Sequence, residues 1–258
     1  MSTSAILELS PPQTEKGVHS RHLWIAGFQG RRVPALVLTP EGAQGPRPVV
    51  MLGHGASQSK DEQQTLRIAR WLVHREGWAV ALIDGPVHGE RRSDAGGEVG
   101  QEAREAILRR ETYEAMAVDW QRTVDACAEL PDVGIERAAY LGFSMGSLLG
   151  LAAVAAEPRF RCAVFAIGGI IGEQPNFLTE TARQIARPVL LINQSEDEIF
   201  SREAALRLYD ALPGPKRLFF HPGAHSGVPR EAMERVREFL HAHLAGEGDE
   251  SGAPTGAW

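Results

Sequence analysis

Ser144 stands between two glycines in Gly142-Phe143-Ser144-Met145-Gly146, with an apolar run before it and small residues after it. A serine hydroxyl is a weak nucleophile near neutral pH and needs a base to activate it. The G-x-S-x-G spacing gives such a serine its place. The chain reverses between a strand and a helix, the serine takes a strained backbone conformation, and glycine leaves room at the flanking positions. The N–H of Met145 then lies at a helix N-terminus, where it can face an oxyanion. With 27 glycines in the chain the five-residue pattern alone is weak, and its weight comes from the strand-like run before it and the helix after it.

The base must come from another loop at the same end of the sheet. Nine histidines are available. His225 lies in FFHPGAHSGVPR, after the last expected strand and before the last expected helix, which suits a catalytic histidine. His221, at the strand end, is its competitor but sits closer to the sheet. His241 and His243 fall on the final helix. The orienting carboxylate should lie between Ser144 and the histidine in chain order. LLINQSEDEIF supplies Glu196, Asp197 and Glu198 just after a strand, and a short Asp on a tight loop favours Asp197. A second oxyanion donor is offered by His54-Gly55-Ala56 in MLGHGASQSKDE, with the N–H of Ala56 as donor and Gly55 permitting the turn.

These loops need a scaffold that brings them to one edge. VVMLGH, WAVALID, AAYLGF, RCAVFAI, PVLLIN and KRLFF are short apolar runs of the kind that strands buried on both faces show, and RRVPALVLTP alternates with a period near two. Helical stripes separate most of them. SKDEQQTLRIARWLVHRE opens with a capping-box pattern, Ser59 followed by Glu62, and carries Leu66, Ala69, Leu72 and Val73 on one side. Tyr113, Met116, Trp120, Val124 and Cys127 form a second stripe, and SREAALRLYDAL a third helix. PREAMERVREFLHAHL, starting on Pro229, keeps Ala232, Val236, Phe239 and Leu240 together. Strands alternating with amphipathic helices predict an α/β fold, a mostly parallel central sheet with helices on both faces. Residues 1–17 read as a lead-in, 18–245 as one domain, and 246–258, rich in Gly, acid and Pro, as a disordered tail. The polar segment 85–110 and the segment 168–187 follow strands. They are the expected walls of a pocket with a minimal cap, since ligands bind beyond the carboxyl ends of such strands.

Composition narrows the function. The chain has 258 residues, 43% of them hydrophobic, and a net charge of −6. A mildly acidic chain without basic runs is a poor partner for nucleic acid or anionic membrane. No apolar stretch approaches the about 20 residues of a membrane span, and the first residues lack the features of a secretion signal, so a cytoplasmic location is expected. Two cysteines, Cys127 and Cys162, make neither a disulfide framework nor a CxxC pair. No metal or other cofactor is expected.

The segments GHGASQSKD (53–61), IDGPVHGER (83–91), GFSMG (142–146), SEDEI (195–199) and PGAHSG (222–227) together resemble a serine α/β-hydrolase of the dienelactone-hydrolase and acyl-esterase type. The resemblance implies the α/β-hydrolase fold, with Ser144 as nucleophile, Asp197 as acid, His225 as base, and the amides of Ala56 and Met145 as oxyanion donors. Asp84 and His88 match a D-x-P-x-H-G segment that in the family shapes the loop beside the site, and His88 is also a candidate substrate contact. Dienelactone hydrolase itself uses a cysteine nucleophile, so that activity is not implied. Gln194 stands where the family has glycine, and Phe200-Ser201 replaces Val-Pro, which keeps Glu196 as the alternative acid. Phe143, Met145, Ile170, Ile171 and Phe177 are candidate substrate-binding walls, or plain core. Arg91 and Arg92 are candidate attractors of an anionic substrate, or plain solvated charges. The expectation is an esterase for small to medium acyl groups acting on a small-molecule ester, with a homodimer allowed but not required. A thioesterase or a peptidase/amidase would use the same residues, and a non-catalytic ligand-binding module would use the same fold.

Overall fold

The computed structural model describes residues 4–92, 105, 107, 109–172, 175–225 and 227–245, so the expected tail 246–258 and most of the segment 93–108 lie outside the described residues. The strands are β1 (Ile6–Leu9), β2 (Gln13–Glu15), β3 (Val18–Ala26), β4 (Arg32–Pro40), β5 (Arg47–Gly53), β6 (Ala79–Ile83), β7 (Val133–Phe143), β8 (Phe160–Ala166), β9 (Val189–Gln194) and β10 (Lys216–His221). The α-helices are α1 (Gln63–Glu76), α2 (Arg110–Ala128), α3 (Met145–Ala156), α4 (Pro175–Ala182), α5 (Arg202–Ala211) and α6 (Arg230–Leu244).

One sheet takes all the strands in the order β1-β3-β4-β6-β5-β7-β8-β9-β10, with β2 paired to β3. The six expected apolar runs form its parallel part, β6 through β10. The stretch read as a lead-in carries β1 and β2, and with β3 and β4 they form an antiparallel edge. β1 exposes Leu7 at 47% and Leu9 at 49%, and β2 is exposed throughout. Their place in the sheet rests on backbone pairing, which leaves no apolar periodicity for a sequence to display.

The parallel strands are buried on both faces, and period two divides their side chains between two apolar layers. Met51, Ile83, Tyr140, Phe165 and Leu191 pack against α2, α3, α4 and α5. Val50, Leu82, Leu141, Val164 and Ile192 pack against α1 and α6. The expected helix stripes are the faces that meet them. The capping box does not form. α1 begins at Gln63, and the carboxylate of Glu62 caps it by accepting from the amide of Gln64 at 2.8 Å. Ser59 instead donates to Asp61 at 2.7 Å, because its stretch belongs to a loop anchored on Lys60. No described helix is long and apolar enough to cross a membrane.

Register sets the location of the site. Gly53 of β5 pairs with Gly142 of β7, so the two loops leave the sheet side by side. α3 then crosses β5 so closely that a Cβ on Gly146 would stand 2.3 Å from the Gly53 carbonyl oxygen. A helical Gly→Ala change ordinarily gains about 1 kcal/mol. Here Gly146→Ala should instead cost ~1–3 kcal/mol as overpacking, read as a lower unfolding free energy in a urea titration. A stabilised variant would mean that α3 can move off the sheet.

Candidate active site

Ser144 lies between β7 and α3 at φ 52°, ψ −111°, a left-handed conformation that an L-residue occupies only under constraint. The constraint is local and fully hydrogen-bonded. The Ser144 amide donates to the Ala166 carbonyl at 3.0 Å. The Ser147 hydroxyl lies 2.7 Å from both the Gly142 and the Ala166 carbonyl oxygens, and the Tyr140 hydroxyl donates to the Gly146 carbonyl at 2.7 Å. Glycine at 142 is a steric requirement, since a Cβ there would stand 2.5 Å from the Gly146 oxygen. Ser147 and Tyr140 were not singled out in the sequence. A lone polar residue in an apolar helix and a tyrosine in a buried strand are the signals that could have found them.

The Ser144 Oγ is 2.8 Å from His225 Nε2. His225 Nδ1 is 2.9 and 3.0 Å from the two carboxylate oxygens of Asp197. With Nδ1 donating to a carboxylate, Nε2 is left bare to accept the serine proton. The Asp197 side chain is fully buried, and its Oδ1 also accepts from the amides of Ile199 at 2.8 Å and Phe200 at 2.7 Å. Those two bonds fix its rotamer toward His225. The neighbouring acids do other work. Glu196 accepts from the Ser195 hydroxyl at 2.7 Å and the Gly223 amide at 2.5 Å, which hold its carboxyl below the usual range. Glu198 accepts from the His225 amide at 2.9 Å, and this bond lowers its carboxyl too. Both strap the histidine loop through its backbone. The departures from the family pattern join them, for Gln194 donates to the Gly227 carbonyl at 3.0 Å and the Phe200 ring lies 5.6 Å from the His225 ring. His221 is buried, with Nε2 unpartnered among the described residues, and does not meet Ser144.

The loop after β5 is set by a neutral histidine. His54 Nε2 accepts from the Gly85 amide at 2.8 Å, so Nδ1 carries the proton and donates to the Gly55 carbonyl at 2.8 Å. The Gln58 amide donates to the same carbonyl at 3.1 Å. In a trans peptide the C=O and N–H point opposite ways, so holding the Gly55 oxygen turns the Ala56 N–H to the other side. That amide makes no hydrogen bond among the described residues. Met145, as the first residue of α3, has no intrahelical acceptor for its own amide. Among the described residues two amides without a hydrogen-bond acceptor, Ala56 on the loop after β5 and Met145 at the start of α3, therefore lie on the segments around Ser144.

His88 returns the clasp from the loop after β6. Its Nε2 is 2.5 Å from the Ala56 carbonyl oxygen and its Nδ1 is 2.6 Å from that of Pro86. Both nitrogens are engaged and the residue is buried, so His88 holds the loop after β5 and has no free nitrogen to offer a ligand. The two loops share one anchor. The Asp84 carboxylate accepts from the amides of Lys60 at 2.8 Å and Glu90 at 2.9 Å. The fully buried Lys60 ammonium reaches Glu90 at 2.5 Å and both Asp84 and Asp61 at 3.3 Å. Burial opposes the Lys60 charge, but the Glu90 bond and the three carboxylates outweigh it and hold the ammonium above its usual range.

Several expected pocket walls are core instead. Ile170 is 0% exposed and belongs to the α2–α5 layer. Phe143 packs in the α1/α6 layer. Phe177 is half-buried on α4, with its ring edge-on to Tyr113 at 5.6 Å and the Arg110 guanidinium 4.9 Å above it. Met145 packs in the α2–α5 layer, and Ile171 packs half-buried against it. Apolar residues after a strand serve core and pocket alike, and only packing separates the two. Arg91 is spoken for, 2.9 Å from Asp119 and 3.1 Å from the Asp84 carbonyl. Among the described residues no group of three His, Cys, Asp or Glu could hold a metal ion.

A family model described as "Serine hydrolase (FSH1)" matches residues 44–237. Among solved structures, a cold-adapted esterase from an Arctic intertidal metagenomic library is 27% identical, with a TM-score of 0.76 over 91% of this chain and 97% of that one. Acetyl xylan esterase 1 from Thermoanaerobacterium sp. is 18% identical, with a TM-score of 0.76 over 92% of this chain and 88% of its own. A dienelactone hydrolase-like promiscuous phosphotriesterase from metagenomic libraries is 17% identical, with a TM-score of 0.69 over 89% and 100%. The last two likenesses show the fold alone. No curated protein sequence matches.

The His54 clasp has a signature in stability. Burial, partly offset by the bond to Gly55, lowers the His54 pKa from 6.5 to about 4. Between those values the unfolded chain binds a proton that the folded ring refuses, so stability contributed by neutral His54 is present above pH 6.5 and is lost as pH falls toward 4. The loss from pH 7 to pH 5 should be on the order of 2 kcal/mol through this group. In urea titrations at the two pH values, His54→Gln should remove that part of the difference. Equal pH dependence in both proteins would contradict a buried neutral ring.

Proposed function

The chain belongs to the serine hydrolase (FSH1) family, and from that premise we propose that it hydrolyses carboxylic esters of small to medium acyl groups through an acyl-enzyme. The observation that carries this reading is the unbroken hydrogen-bond chain from Ser144 Oγ through His225 to buried Asp197. The 27% identical esterase, matched over nearly the whole of both chains, supports esters as the substrate class.

In this mechanism Ser144 Oγ attacks the ester carbonyl carbon while His225 Nε2 takes its proton. Asp197 holds the imidazole in the productive tautomer and stabilises the imidazolium that forms. The carbonyl oxygen becomes an oxyanion and meets the amides of Ala56 and Met145, donors already aimed before the reaction starts, which costs no reorganisation at the transition state. His225 gives its proton to the departing alkoxide. The same nitrogen then deprotonates a water that attacks the acyl-enzyme, and collapse of the second tetrahedral intermediate returns the proton to Ser144. Every step uses groups of this chain and water.

Ser144→Ala should lower kcat on a short-chain p-nitrophenyl ester by at least ~10⁴-fold, because triad members act as a unit, and should abolish labelling of that peptide by a fluorophosphonate. Activity retained in Ser144→Ala would refute the reading. Asp197→Asn should cost ~10²–10⁴-fold, while Glu196→Gln, whose carboxylate bonds Ser195 and Gly223 among the described residues, should stay within roughly tenfold of wild type. The reverse ranking would assign the acid to Glu196.

A further inference from the structure

Backbone strain at the carboxyl end of the sheet is not confined to Ser144. Positive φ in non-glycine residues occurs at Lys16 and Gln29, in polar turns, and at Val87 (φ 62°) and Ile167 (φ 45°). The last two are β-branched, and a β-branched side chain in the left-handed region is an outlier. Val87 occupies the second central position of a turn closed by the His88 amide on the Gly85 carbonyl at 3.2 Å, with Pro86 before it. Where φ is positive at that position, glycine is the usual residue. Ile167 directly precedes Gly168 and Gly169, so glycine is at hand one residue away, yet the strain falls on isoleucine. Strain of this kind persists only where the surroundings over-determine it, and it gathers at functional sites.

The two apolar layers packed by the helices do not take up these side chains. Ile167 is buried, at 7% exposed, and Val87 is half-buried, and among the described residues neither falls in the two layers or packs against them. Each is one residue from the machinery. His88, after Val87, bonds the Ala56 carbonyl, and Ala166, before Ile167, accepts the Ser144 amide. The sheet order β6-β5-β7-β8 places their loops on the two outer flanks of the pair that carries the oxyanion loop and the nucleophile.

We propose that Val87 and Ile167 are specificity-determining residues, the two walls of the cleft that receives the acyl chain, and that their bulk restricts the site to short acyl groups. The inference rests on the ester-hydrolase reading above. It explains why side chains outside the two helix-packed layers stand where glycine would relieve the backbone.

The test compares kcat/KM for p-nitrophenyl octanoate and p-nitrophenyl acetate in wild type, Val87→Gly, Val87→Ala and Ile167→Gly, with Ile167→Ala in place of the last if it does not fold. Wild type should favour acetate. Each variant should raise the octanoate-to-acetate ratio by at least about tenfold, the scale set by freeing a methylene or two of pocket. The Tm of Val87→Gly should be unchanged or higher, since the strain is released while the wall is removed. Val87→Ala keeps the strain and should move the ratio without raising Tm. Ratios within twofold of wild type in the folded variants would overturn the proposal, as would a fall in Tm in Val87→Gly with an unmoved ratio, the mark of a packing role. Failure of wild-type protein to turn over any ester or to label with fluorophosphonate would overturn the underlying reading, and the wall assignment with it.

Discussion

A single backbone conformation governs the carboxyl edge of this sheet. Ser144 at φ 52° costs of order 1–3 kcal/mol relative to a relaxed residue, and the structure holds it there by removing alternatives. Gly142, Gly146 and Gly53 let α3 lie against β5 with no side chain between them, while Ser147, Tyr140 and the Ala166 carbonyl fasten the turn from three sides. The helix cannot withdraw without breaking those bonds, and the serine cannot relax unless the helix withdraws. Its hydroxyl is therefore presented in one direction, and the amide of Met145 in a fixed relation to it.

The remaining groups are brought to that fixed point by two fastenings of different character. On one side the loops after β5 and β6 clasp each other. His54 takes an amide from the second loop and His88 takes a carbonyl of the first, with Asp84 and buried Lys60 beneath them. His54, His88, Asp84 and Lys60 are buried, and the strength of this side depends on every partner being satisfied. On the other side the histidine loop is strapped by two exposed groups, Glu196 and Glu198 on backbone amides, and by buried Gln194 on a carbonyl. A buried clasp on one side and exposed carboxylate straps on the other suit the proposed reaction, in which the oxyanion donors must be ready beforehand while water must reach the acyl-enzyme.

The parallel core was legible because burial on both faces writes continuous apolar runs, and the helices because their stripes have period 3.6. The antiparallel edge was not. β1 and β2 are fastened by backbone hydrogen bonds to β3 and hide little apolar surface, so their residues look like a polar lead-in. The Ser59–Glu62 pattern likewise has capping chemistry, but the loop needed Lys60 at the Asp84 anchor, and α1 starts later on Glu62. Tertiary demand overrode a local signal worth about 1 kcal/mol.

The sequence by itself determined which chemical groups this protein possesses and the order in which they leave the sheet: a serine in a glycine-bounded turn, a histidine before the last helix, and carboxylates on the loop between. These are local facts, carried by turn chemistry and periodicity. The short Asp on a tight loop already favoured Asp197 over Glu196 and Glu198, but only the tertiary structure shows that it is the carboxylate facing His225. The choice follows from two amides, those of Ile199 and Phe200, that close on the Asp197 oxygen. It also decided that His88 holds the loop after β5, that Phe143 and Ile170 are core, and that strain reaches Val87 and Ile167. Each of these depends on distances between segments remote in the chain. Sheet register and the crossing of α3 over β5 set those distances, and no residue pattern records them.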